Sequence, residues 1–199
     1  GRLAAHGYRT LGVDLSKFGC ARASKDASLA GLDHAAYAVA SVYTMPVKDA
    51  SVDGVGQMAG WLPHKNIEES RRILHMFIRE KKTLALEYQG KVIGSLGIDL
   101  YNEADYPELE ALRGREIGYV LSKDYWGRGL MPEAVQAVIH YLFDEEKLDF
   151  IQISHFQWNR QSRRVIEKCG LQYVKTTLHQ TRYGTEEITL VHMIRRENP

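Results

Sequence analysis

The clearest candidate for chemistry is a glycine turn, Trp126-Gly-Arg-Gly-Leu-Met131, which follows a short apolar strand pattern and precedes a helix pattern. Backbone N–H groups at the start of such a helix have no partner within the helix, and the helix dipole adds positive potential there. Glycines let the backbone approach phosphate oxygens closely, and Arg128 can add a charge-assisted contact. The turn favours a phosphate-bearing ligand, although two glycines between a strand and a helix also occur where no ligand binds.

Two common phosphate-binding motifs do not fit these residues. A P-loop needs Gly-Lys followed by Ser or Thr before the helix, and the sequence lacks that combination. A dinucleotide-binding turn needs a third glycine, where this chain has Pro132, and an acidic residue at the end of the next strand, whereas Asp149 precedes that strand. A third hypothesis, a turn that holds the pyrophosphate of coenzyme A, is not decided by these residues alone.

Cysteine and histidine give weaker signals. Cys20 and Cys169 are too few for a disulfide framework or, alone, for a zinc site. Cys169 could form an acyl-cysteine, but it lies at the predicted C-terminus of a helix, where the dipole disfavours a thiolate. A packed core cysteine is therefore the favoured interpretation. The histidines show no metal-ligand spacing, so we expect no metal, and only His155 is a candidate for testing.

The elements that must position the turn alternate between strands and helices, which indicates a mixed α/β sheet with helices packed on it. Asn66 is predicted to cap a helix, with Glu69 closing the capping box, and Gln89-Gly90 is a hairpin signal. Pro132 is predicted at a first helical position. The expected helices are residues 27–40, the one capped by Asn66, 134–143 and 159–169; the expected strands are residues 83–88, 91–98, 116–121, 150–156, 172–177 and 186–194.

Bulk composition narrows the classes of protein. With 199 residues and 44% hydrophobic content, the chain is long enough for one buried core. A formal net charge of +1 gives no strong field to recruit nucleic acid or anionic lipid. No apolar run approaches the roughly 18 residues of a membrane span, and the start lacks a signal-peptide pattern. We expect a cytoplasmic protein with a poorly readable arm or expression remnant at residues 1–17 and a single domain at 18–199.

Several stretches, taken together, closely resemble the GNAT superfamily of N-acyltransferases. They are Glu116-Ile-Gly-Tyr-Val-Leu121, Tyr125-Trp-Gly-Arg-Gly-Leu-Met-Pro-Glu-Ala134, Asn159-Arg-Gln-Ser162 and Glu167-Lys-Cys-Gly-Leu171. The resemblance runs from about residue 59 to residue 174 and looks closest to the branch with the ribosomal-protein alanine N-acetyltransferases. It implies a mostly antiparallel sheet, splayed around the coenzyme site, with helices on both faces.

The resemblance also implies which residues bind acetyl-coenzyme A. Backbone groups of Tyr119, Val120 and Leu121 would pair with the pantetheine arm and receive the thioester carbonyl. Asn159 would hydrogen-bond the pantetheine, and Ser162 would lie near the sulfur. Arg164, with its neighbours Arg160 and Arg163, could meet a 3′-phosphate, although solvated surface arginines are the simpler interpretation. The pyrophosphate would be held by the amides of Trp126, Gly127, Arg128, Gly129, Leu130 and Met131.

Acyl transfer to an amine needs a base, because an amine such as lysine has a pKa of about 10.4. Glu116 is the leading candidate, since it begins the strand that should meet the thioester and the family often has Glu there. Its simpler role would be pairing with Arg113 or Arg115. Many family members protonate the departing thiolate with a tyrosine seven residues after the asparagine; here that residue is Ile166, so Ser162, water or Tyr173 would have to serve.

The acceptor is less well indicated. In this family it binds between the early helices and the closing strands, which makes Trp61, His64 and Tyr183 candidates. The stretch around Trp61 and His64 is similar to some uncharacterised bacterial members, whereas the usual first strand is poorly matched at residues 18–22. We expect an enzyme, monomeric or homodimeric, that acetylates a protein N-terminus or a small-molecule amine. The alternative is a non-catalytic sensor of acetyl-coenzyme A.

Overall fold

The computed structural model describes residues 65–196. Several predictions therefore lie outside the described residues: the arm at 1–17, the start of the domain at residue 18 and the helix at 27–40. Within the described part, the secondary structure follows the predicted order of helices and strands.

Helix α1 (Ile67–Glu80) begins at the predicted Asn66 cap. The Asn66 side chain accepts a hydrogen bond from the Glu69 N–H at 2.9 Å. Glu69 reaches back one residue further than a standard capping box, because its Oε2 accepts from the N–H of Lys65 at 2.6 Å. Lys81 adopts a left-handed conformation, and its N–H bonds to the Phe77 carbonyl, which ends the helix.

Strands β1 (Thr83–Tyr88) and β2 (Lys91–Asp99) form the predicted hairpin. Both turn residues have positive φ, 52° at Gln89 and 77° at Gly90. This is the combination a tight two-residue hairpin needs, because its backbone must match the twist of the strands. After β2, two short 3-10 turns, Glu103–Asp105 and Pro107–Leu109, lead to strand β3 (Gly114–Leu121).

Helix α2 (Leu130–Asp144) begins two residues before Pro132, so the prediction that Pro132 is the first helical residue was wrong. Gly129, with φ 80°, precedes the helix, and its carbonyl accepts the first intrahelical hydrogen bond, from Glu133 at 3.1 Å. The first residues of a helix have no N–H partner within it, so proline costs no hydrogen bond at the third position.

The remaining elements are strand β4 (Phe150–Phe156), helix α3 (Arg160–Lys168) and strands β5 (Gln172–Gln180) and β6 (Glu186–Arg195). β5 extends three residues beyond its predicted end. Its last residues pair with β6, where Gln180 lies opposite Glu186, and this partnership extends a segment whose own sequence has little strand character.

The sheet has the order β1-β2-β3-β4-β6-β5, and among the described strands only β3 and β4 are parallel. This confirms the predicted mixed, mostly antiparallel sheet. One face, which we call the helix face, carries Ile117 and Ile153 and packs against residues of α2 and α3 such as Val135 and Ile166. The other, which we call the opposite face, carries a second cluster of Phe150, Val191 and Met193 with Tyr101 and Tyr106.

Candidate active site

Strands β3 and β4 separate part of the way along their length. They are paired only where Gly114 lies beside Phe150, Arg115 beside Ile151 and Glu116 beside Gln152. Beyond that point residues 117–121 and 153–156 are not paired with each other, although both strands continue. Backbone N–H and C=O groups along the two facing edges are therefore left for another partner, since such groups are rarely left unpaired. This opening is where the pantetheine arm was predicted.

The side chain of Tyr119 points to the helix face and contacts α3. Its hydroxyl lies 2.9 Å from Ser162 Oγ and 3.3 Å from the Ser162 carbonyl oxygen. Burial raises the pKa of this phenol, so it stays neutral and can donate a hydrogen bond. The sequence prediction used only the backbone of Tyr119. The signal available for the side chain was its spacing of two from Ile117, a core residue of the helix face.

The indole of Trp126 fixes the start of the glycine turn. Its Nε1 donates to the Leu121 carbonyl at 2.8 Å, and its ring packs against the main core. The Leu121 carbonyl at the end of β3 therefore already accepts a hydrogen bond. The other two residues whose backbone was predicted to pair with the pantetheine arm are Tyr119 and Val120. The turn is thereby held at a fixed distance from the end of β3.

The glycine turn itself is open. Gly127 and Gly129 have φ values of 75° and 80°, and a Cβ added at either would meet no atom within 4 Å. Leu130 and Met131 are the first two helical residues, so their N–H groups have no partner within the helix. The guanidinium of Arg128 lies 5.1 Å from the centre of the Tyr125 ring, and the Lys91 ammonium lies 5.7 Å from it. Free amides, positive potential and two cations fit a phosphate group.

Asn159 and Ser162 begin α3. Ser162 N–H donates to Asn159 Oδ1 at 3.1 Å, so the asparagine caps the helix while remaining buried. Of the three arginines at this helix start, Arg163 pairs with Glu167 at 2.8 Å. Arg160 and Arg164 are exposed, and within residues 65–196 no ion pair joins either to a carboxylate.

Glu116 lies on the opposite face at the point where the strands separate. Its Oε1 accepts a hydrogen bond from Ser154 Oγ at 3.0 Å, a contact the sequence did not predict. The simpler role considered for Glu116 is absent from the described part of the chain, because no ion pair links it to Arg113 or Arg115. The Arg115 side chain instead donates to the Gly114 carbonyl at 2.7 Å. Glu116 is therefore a carboxylate held by a hydroxyl.

Negative charge around Glu116 is also felt by Tyr106. Burial raises the pKa of Tyr106 to about 12, and the charges of Glu116, Asp105 and Glu108 add to the effect. Lys175 lies over the Tyr106 ring at 3.7 Å, with its ammonium donating to the Asp105 carbonyl. This part of the opposite face thus combines carboxylates with a neutral phenol.

Cys169 and His155 are both buried. The Cys169 Sγ lies 3.6 Å from the Pro132 carbonyl, and burial raises the pKa of the thiol to about 12, as suits a core cysteine. His155 Nδ1 lies 2.8 Å from the Phe156 carbonyl, so this nitrogen carries the proton. The His155 and His192 rings stack with their centres 5.2 Å apart, and burial lowers the pKa of both histidines. Ile166, at the position of the missing tyrosine, is fully buried in the core.

The predicted acceptor residues are only partly described. Trp61 and His64 lie outside the described residues, and Tyr183 is half-buried in the turn between β5 and β6. Tyr173, an alternative proton donor, is exposed on the edge strand β5, with its hydroxyl 2.9 Å from Thr176 Oγ1. The assignments of Trp61, His64 and Tyr183 to the acceptor site stay predictions.

Neither a metal cluster nor a membrane-spanning helix is found in residues 65–196. No group of three or more His, Cys, Asp or Glu side chains there could hold a metal ion. No helix in the same range is long and apolar enough to cross a membrane.

Comparison with known proteins agrees with this geometry. The family described as "Acetyltransferase (GNAT) domain" matches residues 39–172. A Bacillus subtilis protein named "Probable N-acetyltransferase YjcK" is 45% identical over 60 residues, which cover 30% of this chain and 33% of that protein. The chain spans about a third of the length of the first curated relatives it matches.

Two solved structures share the fold. A GNAT-family acetyltransferase from Bacillus anthracis superposes with a TM-score of 0.62 at 21% identity, covering 73% of this chain and 83% of that one. The ribosomal-protein-S5-alanine acetyltransferase from Vibrio fischeri superposes with a TM-score of 0.55 at 18% identity, covering 74% and 90%. The family match and these folds agree with the resemblance carried by the sequence motifs.

Proposed function

The chain belongs to the GNAT acetyltransferase family, and on that premise we propose that it transfers an acetyl group from acetyl-coenzyme A to a primary amine. One observation carries the proposal: the β3–β4 ladder ends at Glu116, which places a carboxylate at the mouth of the opening between two strands. The unpaired backbone groups on the edges of the opening would hydrogen-bond the pantetheine arm. The carboxylate at the end of the opening would accept a proton from the amine.

The donor would be held by three parts of the chain. Backbone groups of Tyr119 and Val120 on the free edge of β3 would pair with the pantetheine arm. The turn from Gly127 to Met131 would receive the pyrophosphate, with the charge of Arg128 beside it. The Trp126 N–H, also predicted to bind there, instead donates to the Lys123 carbonyl at 3.1 Å. Asn159, Ser162 and Arg164 at the start of α3 would bind the other side of the coenzyme.

Glu116 would act as the general base. The protonated amine loses a proton to the Glu116 carboxylate, directly or through a water, and its nitrogen then forms a bond to the thioester carbonyl carbon. N–H groups on the free edge of β3 would stabilise the resulting oxyanion. When the carbon–sulfur bond breaks, the electron pair leaves with sulfur and the nitrogen releases its second proton to water, which leaves a neutral amide. Ser162, in contact with Tyr119, would donate a proton to the thiolate and regain one from water.

The acceptor would be a protein N-terminal amine or a small-molecule amine. One protein of known structure with the same fold is named as a ribosomal-protein-S5-alanine acetyltransferase. Protein N-termini are therefore the first acceptors to screen. Trp61, His64 and Tyr183 remain the proposed acceptor-binding residues.

Free thiol release from acetyl-coenzyme A across a panel of amines tests this function. We expect Glu116→Gln to lower kcat by about 100-fold, within the range for loss of a general base, with an unchanged Kd for acetyl-coenzyme A. Glu110→Gln, at an exposed loop position, is the matched control and should leave both values unchanged.

Two results would contradict the proposal. Full turnover by Glu116→Gln would remove this residue from the mechanism. Binding of acetyl-coenzyme A by the wild type with no turnover of any amine would favour the sensor, for which the buried Ile166 at the usual tyrosine position is the supporting observation.

A further inference from the structure

Gln152 is a buried polar side chain with an unsatisfied oxygen. It is only 5% exposed, and its Oε1 has no hydrogen-bond partner. An unsatisfied buried polar group costs stability, so its retention calls for an explanation such as a bound ligand. Gln152 lies beside Glu116 in the last pair of the β3–β4 ladder. The unsatisfied oxygen therefore belongs to a residue adjacent to the proposed base.

The surface next to this pair lacks side chains. Gly118 lies two residues after Glu116 on the same face, and Gly97 lies opposite Gly118 on β2. A Cβ added at Gly118 would meet no atom within 4 Å. Gly118 therefore leaves room beside the carboxylate for a small group to approach, whereas a Cβ at Gly97 would lie 3.5 Å from Asp99 Oδ2.

Hydrogen-bond capacity and charge define what that group must be. The free oxygen of Gln152 and the carboxylate of Glu116 are both acceptors, and Ser154 already donates to Glu116. Asp99 lies opposite Glu116 on β2 and adds a second negative charge. An ammonium group satisfies both acceptors, because it carries several donors and its positive charge complements the two carboxylates.

We infer that Gln152 and Glu116 together form the subsite for the amino group of the acceptor; this rests on the proposed function. One N–H of the amine donates to Gln152 Oε1, and a second proton passes to Glu116. The lone pair left on nitrogen is then free to attack. Ser154 is a positioning residue that orients the Glu116 carboxylate.

Two acceptors test the subsite: an alanine-initiated hexapeptide and n-butylamine. In Gln152→Leu we expect the KM for both amines to rise about tenfold, the value of one hydrogen bond to a charged group. The KM for acetyl-coenzyme A should not change. The thermal midpoint should stay constant or rise, because an unsatisfied polar group is removed.

Gln157→Leu is the matched control, since Gln157 is exposed just beyond the end of β4. Gln152→Met, unbranched like glutamine, provides a second apolar variant if leucine disturbs folding. An unchanged acceptor KM in a folded Gln152 variant would overturn the subsite and leave the proposed function standing. Failure of the wild type to bind acetyl-coenzyme A, or to acetylate either amine, would overturn the proposed function and the subsite with it.

Discussion

The contact between Tyr119 and Ser162 bears on how the leaving thiolate is stabilised. Ile166 occupies the usual position of the tyrosine acid and is buried in the core. The Tyr119 hydroxyl comes from β3 and lies 2.9 Å from Ser162 Oγ. Because burial raises the pKa of Tyr119, the phenol remains a neutral donor across the neutral pH range. We expect the two hydroxyls to act as one unit.

Removing the Tyr119 hydroxyl tests this unit. In Tyr119→Phe the ring still packs, so the protein should fold, while Ser162 loses a partner. We expect kcat to fall about tenfold, as for one lost hydrogen bond in a network, with an unchanged Kd for acetyl-coenzyme A. Steady-state thiol release measures the first value and calorimetry the second.

Tyr101→Phe is the control for that experiment. Tyr101 is also buried, and its hydroxyl lies 3.4 Å from the Leu112 carbonyl in the cluster on the opposite face. It should cost stability without changing kcat. Equal kcat values for wild type and Tyr119→Phe would show that the Ser162 contact serves packing alone.

Sequence reasoning proposed the site residues that lie in local motifs and missed the neighbours of Glu116 that depend on strand register. The glycine turn, Asn159 and Ser162 are fixed by spacing along the chain. Ser154 and Gln152 meet Glu116 only because β3 and β4 are aligned in parallel across more than 30 residues of intervening chain. No local pattern in either strand specifies that alignment.

Among the elements, the glycine turn has the most demanding backbone. Gly127 and Gly129 both have φ values in the left-handed region, and both positions are open to added atoms. The requirement for glycine is therefore conformational in the free protein, since no neighbouring atom would obstruct a side chain. A residue with a Cβ would strain the turn and shift the amides of Trp126 to Met131.

Gly127→Ala should cost about 1–2 kcal/mol of stability, the usual penalty for a left-handed residue with a Cβ. It should also weaken acetyl-coenzyme A binding, by about tenfold in Kd, if the amides hold the pyrophosphate. Gly184→Ala is a close control, because Gly184 has φ 86° in the β5–β6 turn and equally open surroundings.

Chemical unfolding should give similar losses of stability for the two variants, whereas calorimetry should show weaker coenzyme binding for Gly127→Ala alone. Equal Kd values for both would contradict the assignment of the turn to the coenzyme.

Element boundaries were predictable where one residue type forces them. Gln89-Gly90 supplied a turn with two positive φ values, and Asn66 supplied a helix cap. The start of α2 was misplaced because Pro132 is tolerated anywhere in the first turn of a helix, so proline alone does not fix the register. The end of β5 was missed because its last residues depend on pairing with β6.

At the scale of the whole molecule, the sheet separates the two halves of the proposed chemistry. Tyr119 and Ser162 meet on the helix face, whereas Glu116, Ser154 and Gln152 lie on the opposite face. The opening between β3 and β4 connects the two faces at this point. In the proposed mechanism the donor would enter along one face and the amine from the other, and the two would meet between the strands.

A buried pair of histidines couples the stability of this sheet to pH. His155 on β4 and His192 on β6 stack on the helix face, with Tyr173 at the edge of His192. His155 Nε2 and His192 Nδ1 have no hydrogen-bond partner. Burial lowers the pKa of both rings, while the nearby charges of Arg163 and Glu167 act in opposite directions.

The free energy of unfolding should therefore fall as pH drops below about 6.5, the ordinary histidine pKa. Below about pH 6.5 the histidines of the unfolded chain bind protons, whereas those of the folded protein do not because their pKa values are lowered. The free energy of unfolding therefore has its full value above about pH 6.5 and decreases on acidification. Urea unfolding at pH 7.5 and 5.5 measures the loss. Burial raises the pKa of Glu87, so this residue increases the free energy of unfolding as the pH falls. Its contribution is the same in the wild type and in all variants.

Comparison of variants isolates the contribution of the histidine pair. His192→Phe removes one titrating ring and the repulsion it exerts on a protonated His155, so its loss of stability between pH 7.5 and 5.5 should be clearly smaller than that of the wild type. His75→Gln, at an exposed position on α1, should lose as much as the wild type. If His192→Phe and wild type lose the same free energy, the pair does not control the acid response, and the carboxylates of the sheet must do so instead.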